Sequence, residues 1–248
     1  MTNILISGAS SGIGAALARV YAAPGTRLIL WGRDEARLTA VAAEAKLRGG
    51  EATIGCFDLA DTAALVAALG DAERQGPIDI AIFNAGLGGS LPIDAIAQDP
   101  RHAAQMAAVN FTAPVIGANF MAERMGARRK GRIVLIGSIA AIFPLPMAPV
   151  YSGSKAGLMM FAEALGIRLK RYGVGVSLVS PGFIDTPMSQ GLKEPRPFLI
   201  SADKAAAIIA KRLARGARHI IVPWQFAVIA VAAKLIPQAV VRAVLARF

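Results

Sequence analysis

One cysteine and two histidines in 248 residues leave little from which to build a crosslink or a metal centre. Cys56 alone excludes an internal disulfide framework and fits a reducing compartment. With only His102 and His219 beside it, no structural zinc set is complete, and no metal is expected. Acidic residues are scarce as well: 16 Asp and Glu stand against 27 Lys and Arg, a net charge of +11. Aromatic residues make up 6% of the chain and are not interleaved with the basic ones, so a nucleic-acid interface is not expected. No apolar run reaches the roughly 20 residues of a bilayer span; stretch 224–233 stops at Lys234, and Pro237 follows. No basic leader precedes the first apolar residues, so a secretory signal is not expected either.

What the chain does have is apolar bulk and glycine. Hydrophobic residues account for 55% of it, Gly for 25 positions, and the mean hydropathy is +0.52. That is enough to bury a large core without staples. A short apolar run, Ile4-Leu5-Ile6, reads as a buried strand. It leads into Gly8-Ala9-Ser10-Ser11-Gly12-Ile13-Gly14 and then a helical stretch from Ala15. Glycines let a backbone turn at positive φ and let a ligand approach closely. The helix start beyond them offers free N–H groups and a positive dipole end, which suit the pyrophosphate of a dinucleotide.

Strand-like and helical stretches alternate from there. Strands are expected near 27–31, 51–57, 78–83, 132–136, 174–179 and 218–222, with helices between them, including one long helix over 101–124. No linker or internal repeat divides the chain. Repeated βα units of this kind predict an α/β, doubly wound fold: a seven-stranded parallel sheet with helices on both faces. Residues 1–223 form the catalytic domain on this reading, and 224–248 an apolar, basic helical extension of it. Ligands on such sheets bind beyond the carboxyl ends of the strands. The glycine turn, Asn84-Ala85-Gly86, Ser138 and Pro181-Gly182 all follow strands.

The chemistry-bearing constellation is Ser138 with Tyr151 and Lys155. Tyr151 and Lys155 are four apart and share one face of a helix. An ammonium beside a phenol favours the phenolate and lowers a pKa that starts near 10. Such a tyrosine gives a proton to a carbonyl oxygen or takes one from an alcohol, while a nicotinamide exchanges hydride with the carbon. Ser138 is placed to hydrogen-bond the same oxygen.

Taken with the glycine turn, these residues make the sequence resemble the short-chain dehydrogenase/reductase family over 1–223. The family's T-G-x-x-x-G-I-G appears as Ser7-Gly8-Ala9-Ser10-Ser11-Gly12-Ile13-Gly14, and its N-N-A-G as Phe83-Asn84-Ala85-Gly86. The resemblance implies a Rossmann-type fold and an NAD(P)(H)-dependent oxidoreductase that interconverts a ketone or aldehyde and an alcohol. It implies a catalytic tetrad of Asn110, Ser138, Tyr151 and Lys155, with Lys155 also holding the nicotinamide ribose and Asn110 serving a water-mediated relay. Cofactor contacts are implied for Gly8, Ser10, Ser11, Gly12, Ile13 and Gly14, and for Asp58 and Leu59 on the adenine side. They are implied too for Asn84, Ala85 and Gly86, and for Pro181, Gly182, Ile184 and Thr186 at the nicotinamide end. Where NAD enzymes carry a carboxylate for the ribose 2′-OH this chain has Gly32, followed by Arg33, which favours NADP(H) over NAD(H). Asp34, one step on, is the competing ribose ligand.

Other readings remain open at this level. The fold can serve a non-catalytic scaffold that only binds a dinucleotide. Gly8-Ala9-Ser10-Ser11-Gly12 also matches the G-x-S-x-G elbow of serine hydrolases, with Asp185 or Asp203 and His219 following in order. That reading leaves Gly14 and the Tyr151/Lys155 pair unexplained. Residues 143–147 are expected to wall a hydrophobic, lipid-like substrate's pocket and 188–200 to cover it.

The last 61 residues, 188–248, carry ten Lys or Arg against Glu194 and Asp203, a net +8. Stretch 224–233 is apolar nearly all round, and 238–248 reads as a basic amphipathic helix. Burial in a homo-oligomer or over the pocket competes with contact at a membrane surface. The chain is expected in the cytoplasm, free or peripheral on a membrane's inner face.

Overall fold

A computed structural model of the chain describes residues 1–92, 95–191 and 195–233. In chain order the elements are β1 (Thr2–Ser7), α1 (Gly12–Tyr21), β2 (Thr26–Gly32), α2 (Glu35–Leu47), β3 (Glu51–Cys56), α3 (Thr62–Gln75) and β4 (Ile80–Phe83). Then come α4 (Pro100–Ala107), a π-helical turn (Ala108–Thr112), α5 (Ala113–Ala127), β5 (Arg132–Ile136), α6 (Pro149–Leu169) and β6 (Gly175–Pro181). The chain continues through β7 (Ile184–Asp185), α7 (Pro187–Gln190), β8 (Ile200–Ser201), α8 (Ala202–Ala214), β9 (His219–Val222) and α9 (Gln225–Ala233).

Seven strands form one parallel sheet in the order β3-β2-β1-β4-β5-β6-β9. The order reverses between β1 and β4, which opens a crevice at the carboxyl ends of those strands. The expected seven-stranded, doubly wound architecture is what is found. Burial explains it: Ile4 and Ile6 point to one face and Leu5 to the other, each at most 2% exposed. Ile4, Ile6, Leu28, Leu30 and Val134 meet Leu17 of α1, Leu38 of α2 and Ile209 of α8 on the first face. Leu5, Ile29, Phe83, Ile133 and Leu135 meet Leu65 of α3, Met121 of α5 and Leu158 of α6 on the second.

Two features depart from the sequence reading. The long helix expected over 101–124 is broken by the π-helical turn that contains Asn110. There the Ala113 N–H reaches back five residues to the Ala108 carbonyl, and Pro114, which has no N–H to give, follows at once. Residues 188–200, expected to cover the pocket, are flanked by α7 and the short strand β8, and β8 pairs with β7 in a separate two-stranded sheet that the sequence reading does not assign. The helix expected over 238–248 lies outside the described residues. Among the described residues no helix is long and apolar enough to cross a membrane.

Candidate active site

The crevice at the strand ends is a cleft of about 560 Å³. Its floor is the turn between β1 and α1. Gly12 stands at φ +55°, and a Cβ there would come to 3.0 Å from the Thr186 methyl group packed against it. Gly14 serves close approach instead: a Cβ on it would overlap the Gly8 carbonyl and lie 2.6 Å from the Asn84 amide nitrogen. The first turn of α1 has no side-chain cap and no acidic residue, so its N–H groups face the cleft's floor without a competing anion.

Side-chain hydrogen bonds lock the next wall to this floor. The Ser7 hydroxyl accepts from the N–H groups of Asn84 (3.0 Å) and Ala85 (3.1 Å). The Asn84 amide in turn donates to the carbonyls of Ser7 (3.0 Å) and Gly8 (3.1 Å). Asn84, Ala85 and Gly86 therefore stand beside the glycine turn because β1 and β4 are neighbours in the sheet.

At one end the cleft is lined by Arg33, Asp34, Arg37, Phe57, Asp58 and Leu59. Asp34 is the N-cap of α2: its carboxylate accepts from the Arg37 N–H at 3.0 Å and pairs with the Arg37 guanidinium at 3.1 Å. Arg37 is a second basic residue at this end that the sequence reading missed. The signal was present, since helix start and strand end place Asp34 and Arg37 one turn apart.

At the other end stand Ser138, Tyr151 and Lys155, with Pro181, Gly182, Ile184 and Thr186 opposite. Pro149 opens α6, so Tyr151 and Lys155 lie in its first two turns, directed at the end of β5 where Ser138 sits. Lys155 is 3% exposed, and its ammonium donates to the Ile136 carbonyl at 2.9 Å and lies 5.8 Å from the centre of the Tyr151 ring.

The electrostatics differ from the expected ammonium-tuned phenol. Burial raises the Tyr151 pKa, and the group that opposes the rise is the Ser138 hydroxyl. Lys155 is itself pushed down to about 8 by burial. Burial is the largest influence on both groups, and the Lys155 Nζ donates its hydrogen bond to a backbone carbonyl.

Of the catalytic and cofactor-contacting residues that the resemblance implies, all line the cleft except Gly14 and Asn110. Asn110 is fully buried behind it. Its side chain accepts from the Leu87 N–H (2.7 Å) and donates to the Leu87 carbonyl (2.9 Å) and the Ser154 hydroxyl (3.3 Å). It therefore pins the segment following Gly86 to α6. Of residues 143–147, Phe143 and Leu145 line the cleft; of 188–200, Met188 and Ser189 do.

The hydrolase constellation does not assemble. His219 bonds Ser180 at 2.9 Å, Asp203 pairs with Arg19 at 2.7 Å, and Asp185 accepts from Gln190 at 3.0 Å, while Ser10 lies in the glycine turn. Among the described residues no group of His, Cys, Asp and Glu is arranged to hold a metal ion.

Fold and cleft together define a doubly wound α/β protein with an open cleft at the topological switch point, over a glycine turn. The chain belongs to the short chain dehydrogenase family, whose model matches residues 2–197, and is an oxidoreductase of that class. It is 32% identical over 238 residues to an uncharacterised oxidoreductase of Myxococcus xanthus, covering 94% of this chain and 92% of that one. Among solved structures, it matches a short-chain dehydrogenase from Sphingobium yanoikuyae in complex with NADPH with a TM-score of 0.83 and 26% identity, over 94% of both chains. It also matches the bulky-bulky ketone specific alcohol dehydrogenase from Comamonas testosteroni, with a TM-score of 0.81 and 25% identity, over 96% of both chains.

Proposed function

We propose that the protein reduces a hydrophobic ketone to an alcohol with NADPH as hydride donor. The observation that carries this reading is that Ser138, Tyr151 and Lys155 line one end of the cleft whose floor is the Gly8–Gly14 turn.

The residues fit a dinucleotide along the whole cleft. A diphosphate suits the uncapped first turn of α1, over the Gly8–Gly14 turn. Asp58 and Leu59 would flank the adenine, and Asn84, Ala85 and Gly86 the middle of the molecule. Pro181, Gly182 and Ile184 would face the nicotinamide end, with Lys155 on its ribose. Arg33 and Arg37 would take a 2′-phosphate, and Asp34, held by Arg37 and by the helix end, is turned from ribose ligand into helix cap. The likeness to a neighbour solved with NADPH supports the same choice.

When bound, a reduced nicotinamide supplies a hydride to the carbonyl carbon. The chain's own residues manage the oxygen. The raised Tyr151 pKa keeps the phenol protonated near neutral pH, as an acid for reduction must be. Tyr151 gives its proton to the developing alkoxide, while Ser138 orients the oxygen by a hydrogen bond. The Lys155 ammonium, 5.8 Å from the ring centre, eases the phenolate that remains. Its pKa of about 8 allows proton exchange near neutrality. Asn110 acts as a positioning residue through Leu87 and Ser154.

Phe143, Leu145, Leu87 and Met188 give the catalytic end an apolar wall, which matches a bulky ketone better than a small polar one. The ketone-specific neighbour points the same way. The test is Tyr151→Phe with a panel of hydrophobic ketones. Turnover falls by about 10²–10⁴-fold, as for the loss of one positioned acid, while NADPH binding by fluorescence titration is retained. An undiminished rate removes Tyr151 from the chemistry and leaves a dinucleotide-binding protein of another kind.

A further inference from the structure

Behind one wall of the cleft's catalytic end stands an aromatic ring from α9. Gly182, just after β6, lines the cleft, and its N–H donates to the Val222 carbonyl of β9 at 2.8 Å. The space where any other residue would carry its side chain is filled: a Cβ on Gly182 would overlap the ring of Phe226, in the first turn of α9. Phe226 is 6% exposed, and among the described residues of α9 none lines the cleft. The same ring is the meeting point of two others. Phe183, the next residue of the cleft wall, has its ring 6.1 Å away and tilted by 58°. Phe198 stands edge-on to Phe226 at 5.6 Å.

The cluster holds backbone as well as filling space. Phe198 sits at φ +58°, a left-handed conformation that a bulky residue keeps only where its surroundings hold it there. The Phe183 carbonyl accepts from the Ile200 N–H at 3.3 Å, so the segment that carries Phe198 is tied to the cleft wall as well. Glycine at 182 lets the wall's backbone lie directly against the Phe226 ring, with no flexible side chain between them. A close-packed contact of this kind passes a shift of α9 on to Gly182 instead of absorbing it.

We propose that Phe226 is a positioning residue for the nicotinamide half of the cofactor: its ring fixes where Gly182 and Phe183 stand, and through them where the reacting end of the dinucleotide is held. This rests on the reading that seats a dinucleotide in the cleft, and it predicts a split between the two ends that packing alone does not produce. A ring that only filled core would, once shortened, leave both halves of the cofactor bound as before or weaken both. Loss of a wall at one end weakens only the half held there.

The experiment is calorimetric titration of the full chain with NADPH and with adenosine 2′,5′-bisphosphate, the adenine half alone. Phe226→Leu weakens NADPH by about tenfold or more and lowers kcat at saturating NADPH by roughly 10–100-fold, the scale of a displaced reactant, while affinity for the bisphosphate is unchanged. Val228→Ser, on the exposed side of the same helix, changes none of these. Gly182→Ala reads the contact from the other side, and serves if Phe226→Leu does not fold. Its added methyl is driven into the ring, and NADPH weakens in the same selective way. Adding Phe226→Leu, which removes the ring carbon nearest that methyl, restores part of the loss. The proposal is overturned if Phe226→Leu binds NADPH as the wild type does, or if either single variant weakens the bisphosphate as much as NADPH. It is also overturned if the double variant shows the two losses simply added. A wild type that binds neither ligand overturns the dinucleotide reading itself, and this proposal with it.

Discussion

Replacing Lys155 with methionine tests the electrostatic reading of the site through stability, apart from any assay of turnover. The side chain is 3% exposed and its pKa is pushed from 10.5 to about 8 by burial. Keeping it charged at pH 7 therefore costs the folded state about 3 kcal/mol relative to the unfolded chain. Methionine fills a similar volume without that cost, but it leaves the Ile136 carbonyl without the ammonium's hydrogen bond, a loss of about 1–3 kcal/mol. At pH 7 the cofactor-free variant is thus as stable as the wild type or more stable by up to about 2 kcal/mol, although it no longer turns over ketone.

The sharper signal is in the pH dependence. Below pH 8 Lys155 is protonated in both states. Between pH 8 and 10.5 the folded state sheds the proton while the unfolded chain keeps it, so wild-type stability gains as pH rises through this window. From pH 7 to pH 10 the wild type gains about 2–3 kcal/mol over the methionine variant. Other groups that titrate there affect both chains alike and cancel in the difference. Urea unfolding of the two proteins at pH 7, 9 and 10 measures it. A difference that stays flat within about 0.5 kcal/mol across that range refutes burial as the cause of the lowered pKa.

Removing both guanidiniums at the other end, Arg33→Ala with Arg37→Ala, weakens NADPH binding by roughly 10–100-fold and leaves NADH nearly unchanged. Fluorescence titration reads both, and an equal loss for the two cofactors refutes the 2′-phosphate assignment. Gly14→Ala forces α1 away from the Gly8 carbonyl and the Asn84 amide, and dinucleotide affinity falls by at least about tenfold; unchanged affinity in the same titration refutes the close-approach argument. Asn110→Ala strips the Leu87 N–H and carbonyl of their partners in a buried site and costs about 2–4 kcal/mol. Thermal unfolding measures that loss, and a shift within error would show that Asn110 does not hold this segment.

Much of this molecule is written in local patterns. Ile4-Leu5-Ile6 is apolar at every position because both faces of a central parallel strand are covered, and that pattern needs no tertiary knowledge to read. Glycines at 8, 12 and 14, where β1 gives way to α1, mark a tight turn. The i, i+4 spacing of Tyr151 and Lys155 puts both on one face of α6. Each of these follows from chain geometry within a few residues.

What tertiary structure decided concerns groups far apart in sequence. Ser7 and Asn84 are 77 residues apart and bond only because β1 and β4 are sheet neighbours. Lys155 faces the Ile136 carbonyl, so burial rather than its spacing from Tyr151 governs both their pKa values. Asn110 lies in a π-helical turn where one continuous helix is expected from sequence, and there its amide bonds Leu87. Asp34, a competing ribose ligand on sequence alone, caps α2 and pairs with Arg37, partners that only the folded helix end supplies. Residue spacing determines which side chains share an element's face. How a polar group spends its hydrogen bonds and how much water it keeps depend on what the sheet brings beside it, and that is settled by the fold.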